Sequence, residues 1–206
     1  MGIRIKGTRF VYYPIPKCAC TSLKTAIFEH NGPPKEGRYD ENIGVHGWHG
    51  YGTYRWERRR LLLRPWLRAF CIIRDPIDRF VSGYRNRIVH HGDLGEVPTI
   101  NEFALALQEH ASANSAVHHH FAPMTEFVGR DPSIFHRIFT LNQLDQIPNY
   151  LGVRLNIPRT QEGGPKLTRS HLSDEALGHL QRYYADDYQI WGASLNSPKA
   201  ERAEES

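Results

Sequence analysis

Glycine is missing from the stretch where a triphosphate-binding loop would need it most. Between Tyr12 and Phe28 the chain reads YYPIPKCACTSLKTAIF. This excludes the GxxxxGK[ST] loop, whose glycines let the backbone close around phosphates. Cysteine is scarce, with three in 206 residues, too few for a disulfide framework. Cys18 and Cys20 share a tight turn in which a mutual disulfide would be strained, so a reducing compartment is expected. Their C-x-C spacing has no second pair to complete a zinc site. No run approaches the ~20 apolar residues that cross a membrane. The opening MGIRIKGTRF lacks the apolar core of a signal peptide. No carboxylate stands clearly after a strand as a Mg²⁺ ligand, and no internal repeat is present.

The composition is that of a globular protein, at 40% hydrophobic and 23% charged residues. One domain is expected over residues 1–193, followed by a polar, disordered tail over 194–206 (SLNSPKAERAEES). The net charge of +4 suits anionic ligands, and serves solubility equally.

Within the glycine-free stretch, Arg9 to Tyr13 is aromatic and β-branched and predicts a strand. Pro14 and Pro16 end it, because neither has an amide hydrogen to donate. A run of small and polar residues follows. Leu23, Ala26 and Ile27 then recur at helical spacing, with Thr21 or Ser22 near the N-cap. Amides at a helix start have no intrahelical partner and carry the positive end of the macrodipole. This unit therefore suits an oxyanion, with Lys17 as a mobile charge; an ordinary strand–helix junction would look similar.

A second unit has the same plan. Ala69 to Ile73 reads as a buried strand, and Arg74-Asp75-Pro76 leads into a helix through about Ile88, striped by Phe80, Tyr84 and Ile88. Pro76 fits the first helical position, and Asp75 is expected to pair with Arg79 at i,i+4. Arg74 then lies at a strand's C-terminal end, where open α/β sheets bind ligands.

Together, PKCACTSLK and RDPIDRFVSGYR resemble the two cofactor motifs of PAPS-dependent sulfotransferases, most of all the carbohydrate (Golgi-type) branch and its bacterial relatives. The resemblance implies an α/β fold, three-layer with a central parallel sheet, of the P-loop-NTPase-like sulfotransferase type. It implies PAPS (3′-phosphoadenosine 5′-phosphosulfate) as donor and PAP as product, with no metal. Pro16, Lys17, Cys18, Ala19, Cys20, Thr21 and Ser22 would hold the 5′-phosphosulfate. Arg74 and Ser82 would hold the 3′-phosphate, with Arg85 near it and Lys166 and Arg169 closing from a late loop. Lys17 would stabilise the leaving group. A histidine would deprotonate the acceptor: His46 or His49, with Glu57, His90 and His91 behind them. His120, in HFAP, resembles a His-aromatic-x-Pro unit of the branch and has a structural or acceptor-site role. Trp48 is a candidate for stacking on adenine or lining the acceptor site. The implied acceptor is a glycan, glycolipid or other hydroxyl-bearing molecule, not nucleic acid. Eukaryotic members usually carry a membrane anchor, so a cytoplasmic, bacterial protein is expected.

Two other readings remain open on the sequence. A nucleotide kinase would need the missing triphosphate loop and metal carboxylate. A polyanion-binding module would rest on Arg55 to Arg68 (RWERRRLLLRPWLR), which reads more simply as a short amphipathic helix cut at Pro65. Elsewhere, Ile43 to His46 predicts a short strand, Thr99–Glu102 a capping box, Arg137 to Leu141 a strand with Asn142 as the following cap, and Ser173 the cap of a final helix ending near Tyr184.

Overall fold

A computed structural model describes residues 2–32, 64, 66–158 and 166–195. Four strands form one sheet in the order β1 (Ile3–Arg4), β2 (Phe10–Tyr13), β3 (Arg68–Ile73) and β4 (Arg137–Thr140). β2, β3 and β4 run parallel, with Tyr12 opposite Phe70 and Ile72 opposite Phe139. β1 is antiparallel to β2, so the expectation of a parallel sheet holds for three strands and not for the fourth. The reason is local: β1 returns through the turn at Gly7 (φ 77°) into the adjacent strand, and such a turn can join only antiparallel neighbours.

β3 is the centre. Five of its six residues are buried, so both of its faces are covered, as a run of Ala, Phe, Cys, Ile and Ile requires. Side chains alternate between faces. One face carries Tyr12, Phe70 and Phe139, and Tyr150 of α7 (Ile147–Leu151) packs on Phe70 and Phe139. The other carries Tyr13, which meets Phe135 edge-on; Phe135 in turn meets Trp191 of α9 (Ala185–Leu195).

α1 (Cys20–Asn31) follows β2 and buries Leu23, Ala26 and Ile27. α2 (Pro76–Gly83) follows β3, and the next seven residues, Tyr84–His90, wind as a π-helix. The expected single helix through Ile88 is thus two segments. A second apolar cluster joins α2 to α3 (Ile100–Leu105), α4 (Leu107–Ala113), α5 (Ser115–Phe121) and α8 (Asp174–Tyr183), around Phe80, Phe103 and Phe121. α6 (Met124–Val128) packs into the sheet's own core.

The expected caps are present at two helix starts. Thr99 and Glu102 form the capping box, and the Ser173 hydroxyl accepts from the Ala176 amide. The helix after Ser173 ends at Tyr183, close to the expected Tyr184, but it is not the final one: α9 follows over Ala185–Leu195. Trp191 and Asp187 are both buried, which anchors that last helix. Asn142 is not the cap after β4; Thr140 is, through a box with Gln143. The predicted strand Ile43 to His46 and most of Arg55 to Arg68 lie outside the described residues. No helix among the described residues is long and apolar enough to cross a membrane.

Candidate active site

The three parallel strands deliver their C-terminal ends to one edge of the sheet, and a cleft of about 1300 Å³ opens there. The loop after β2 contributes Lys17, Ala19 and Cys20; the segment after β3 contributes Arg74, Ser82 and Arg85; the segment after β4 contributes Leu141, Asn142 and Asp145. This placement follows from topology, since every parallel strand must leave the sheet at the same end.

The first loop is strained. Lys17 has φ 66° and Ala19 has φ 54°, the two non-glycine residues with positive φ among those described. Each such residue costs of order 1–3 kcal/mol and persists only when its surroundings enforce it. Here Ile15 and Cys18 are fully buried and hold the loop down onto the core. Cys18 therefore faces inward; burial pushes its thiol up to about 12, so its side chain is an inert packing group. Ala19, not Thr21 or Ser22, is the N-cap of α1, because the left-handed residue ends the turn there and puts both hydroxyls inside the first helical turn. Ala19 gives no side-chain cap, and the first turn has no acidic residue.

Lys17 is 6% exposed, and its Nζ donates to Asn86 Oδ1 at 2.8 Å. Burial, reinforced by the Arg74 and Arg87 guanidinium groups, lowers its ammonium to about 8. Arg74 sits below its usual value through burial, and Nη1 donates to the Lys17 carbonyl at 3.4 Å. Lys24 is fully buried one turn into α1, and burial lowers it to about 8 as well.

The second unit is braced differently. Asp75 caps α2, accepting from the Ile77 and Asp78 amides. It also receives Arg169 Nη2 at 2.6 Å and the Tyr188 hydroxyl at 3.2 Å. The expected Asp75–Arg79 pair is absent: the helix start needs the carboxylate, while Arg79, 1% exposed, points into the second core. Its guanidinium donates to the carbonyls of His120, Phe121 and Ala122, at the end of α5. Tyr184 also donates to the Phe121 carbonyl at 2.7 Å, and Asp187 accepts from the Met124 and Thr125 amides. This clamp fixes the HFAP turn and so carries His119 and His120 to the cleft wall. Burial, with Lys24 and Arg87 nearby, lowers His119 to about 4.

Of the residues singled out from sequence, Pro16, Lys17, Ala19, Cys20, Thr21, Ser22, Arg74, Ser82 and Arg85 share this one cleft. Cys18 lies beneath it. Lys166 is exposed and Arg169 is engaged with Asp75 and Asp78; neither lines the cleft. His46, His49, Glu57 and Trp48 lie outside the described residues. Of the fallback histidines, His91 lines the cleft and His90 does not. Sequence reading missed Asn86 and Arg87, which a regular helix would not place beside Arg85, and the apolar wall of Leu141, Leu144, Leu155 and Ile157. The rule that strand ends build sites could have found that wall after β4. Among the described residues, no group of three His, Cys, Asp or Glu side chains is placed to hold a metal ion.

No solved structure matches the chain. The family model described as Sulfotransferase family matches residues 3–192, which span both strand–turn–helix units and every cleft residue named above. The chain belongs to the sulfotransferase family.

Proposed function

We propose that this protein transfers a sulfuryl group from PAPS to an acceptor hydroxyl. The carrying observation is the crowding of Lys17, Arg74, Arg85 and Arg87 into one cleft, with Lys17 and Arg74 both held below their usual pKa. Cations packed this way repel one another and lose solvation, which an anionic ligand would offset. A nucleotide with phosphates at two positions fits that need. The apolar wall after β4 fits a nucleobase. In this reading the loop after β2 takes the 5′-phosphosulfate, and Arg74, Ser82 and Arg85 take the 3′-phosphate. The β2–β3–β4 order with its anion loop after β2 would be a P-loop-like sulfotransferase fold in one domain.

PAPS supplies an activated sulfuryl group on a good leaving group. The chain's own residues do the rest. Lys17 places an ammonium where negative charge grows as the bond to the nucleotide breaks, stabilising the transition state more than the ground state. The α1 amides and the Thr21 and Ser22 hydroxyls hold the 5′ end in line, as in phosphoryl transfer. The acceptor's proton needs a base: His46 and His49 keep their candidacy, and His91 joins them from the cleft wall near Lys17. His120 fits an acceptor-side position. The proposed acceptor is a carbohydrate or glycolipid hydroxyl, on the likeness to the carbohydrate branch.

Calorimetric titration of PAP, with AMP and ATP–Mg²⁺ as controls, tests the donor. Metal-independent PAP binding that far exceeds AMP binding is expected. Equal affinity for PAP and AMP would remove the 3′-phosphate site, and tighter ATP–Mg²⁺ binding would favour a kinase.

A further inference from the structure

We propose that Asn86 is a positioning residue for Lys17: its side-chain carbonyl fixes the lysine head at the junction of the β2 loop and the π-helical segment. This rests on the donor reading above for its catalytic meaning, but the contact itself does not.

The reasons lie in the frames on either side of the bond. A lysine stem has four rotatable bonds, and its ammonium is a mobile point charge. Catalytic cations must be held to within about half an ångström. The β2 loop fixes the Lys17 backbone, and the bond from Nζ to Asn86 Oδ1 adds a hold at the far end of the stem. Asn86, in contrast, sits in a fixed frame. Tyr84 and Ile88 are buried on either side of it, and the Tyr84 hydroxyl donates to the Pro98 carbonyl at 2.7 Å. Arg87 is locked in a two-bond pair with Asp93, at 2.7 and 2.8 Å. The Asn86 main-chain carbonyl accepts the His91 amide at 3.0 Å. The wide π-helical turn sets Arg85, Asn86 and Arg87 side by side on the cleft wall between those two anchors. Asn86 thus ties Lys17 through its side chain and the cleft residue His91 through its backbone.

The charges around Lys17 give the bond its effect. Arg74 at the end of β3 and Arg87 from the π-helical segment disfavour the ammonium, while Cys18 in its own loop and Cys20 at the start of α1 favour it when ionised. His91 also lies within its field. A carbonyl acceptor at 2.8 Å favours the charged amine against the two arginines. Removing it pushes Lys17 towards the neutral form; replacing it with a carboxylate does the reverse.

The test has two arms. In the ligand-free protein, the pH dependence of Lys17 reductive methylation is followed by peptide mass spectrometry. Asn86→Ala should move the onset of reactivity to lower pH, and Asn86→Asp should move it higher. In the turnover assay, Asn86→Ala should lower kcat by about 10- to 100-fold, the range for losing a hydrogen bond to a charged group, while PAP affinity holds. An unchanged methylation profile in both variants would overturn the proposal. So would a loss of PAP affinity matching the loss of turnover, which would make Asn86 a ligand-binding group. Failure of the wild-type protein to bind PAP would overturn the donor reading instead, and the methylation arm would still decide the role of Asn86. Asn86→Asp, which keeps the shape of the side chain, covers the case in which the alanine variant does not fold.

Discussion

Two strand–turn–helix units stand side by side at one sheet edge, and they are finished in opposite ways. The unit after β2 leaves its helix open: Ala19 offers no side-chain cap, and no acid stands in the first turn. The unit after β3 closes its helix with Asp75, which is itself held by Arg169 and Tyr188. A helix start whose amides are already satisfied by a carboxylate has little left for an anion. On the proposed reading, the first unit would meet its ligand with backbone and dipole as well as Lys17, and the second with the side chains of Arg74, Ser82 and Arg85. Similar sequence grammar thus yields two kinds of helix start, one strained and open, the other braced and capped.

The sharpest way to separate the two units is to remove one cation from each. Lys17→Ala should lower kcat by about 10²- to 10³-fold, as for a donor aimed at developing charge, while PAP affinity is largely kept. Arg74→Ala should do the opposite, weakening PAP much more than AMP. Parallel assays of turnover and nucleotide binding read both. Equal patterns in the two variants would mean that the units do not divide the ligand between them.

The caps themselves supply the next contrast. Asp75→Ala should cost about 1–2 kcal/mol in urea unfolding, the worth of an N-cap, with PAP binding affected only indirectly. Ala19→Asp should behave in reverse. An acid at the first turn of α1 favours the helix by about 0.3–1 kcal/mol, yet it puts a negative charge where the 5′-phosphosulfate is proposed to sit. A stability gain joined to a binding loss is the expected signature. A binding gain would show that the open helix start is not the anion site.

The sequence made one layer of this visible and hid another. Both units could be read, because Pro14 and Pro16 stop a strand, Pro76 starts a helix, and β3 is apolar throughout. Their adjacency could be inferred from parallel topology. Partners 41 to 94 residues away could not. Arg79 looked like a helix-surface partner for Asp75, and only the packed structure reveals that it gathers three carbonyls at the end of α5. Arg169 looked like a lid residue but braces Asp75 and Asp78. Asn86 was concealed for another reason. Helical periodicity assumes 3.6 residues per turn, and the π-helical stretch Tyr84–His90 departs from it. The strained φ angles of Lys17 and Ala19 leave no mark in residue type, since neither is a glycine.

The smallest predicted effect concerns the open unit's inner face. Lys24 is fully buried on α1 behind the cleft, and burial lowers its ammonium from 10.5 to about 8. Between those values the unfolded chain keeps a proton that the folded protein has released. The unfolded state binds more protons there, so Lys24 makes stability rise with pH across that window. Cys18 acts oppositely above pH 9, because its buried thiol stays protonated after the unfolded one has ionised. Wild type alone would mix these with Lys17, lowered in the same way, and with the buried Cys71 thiol. The difference between wild type and Lys24→Met isolates the lysine: wild type should gain on the variant as pH climbs from about 8 towards 10.5, as read by urea midpoints. A constant difference would mean that Lys24 keeps its charge on folding, and the first unit would then carry a second cation beneath its cleft at all working pH.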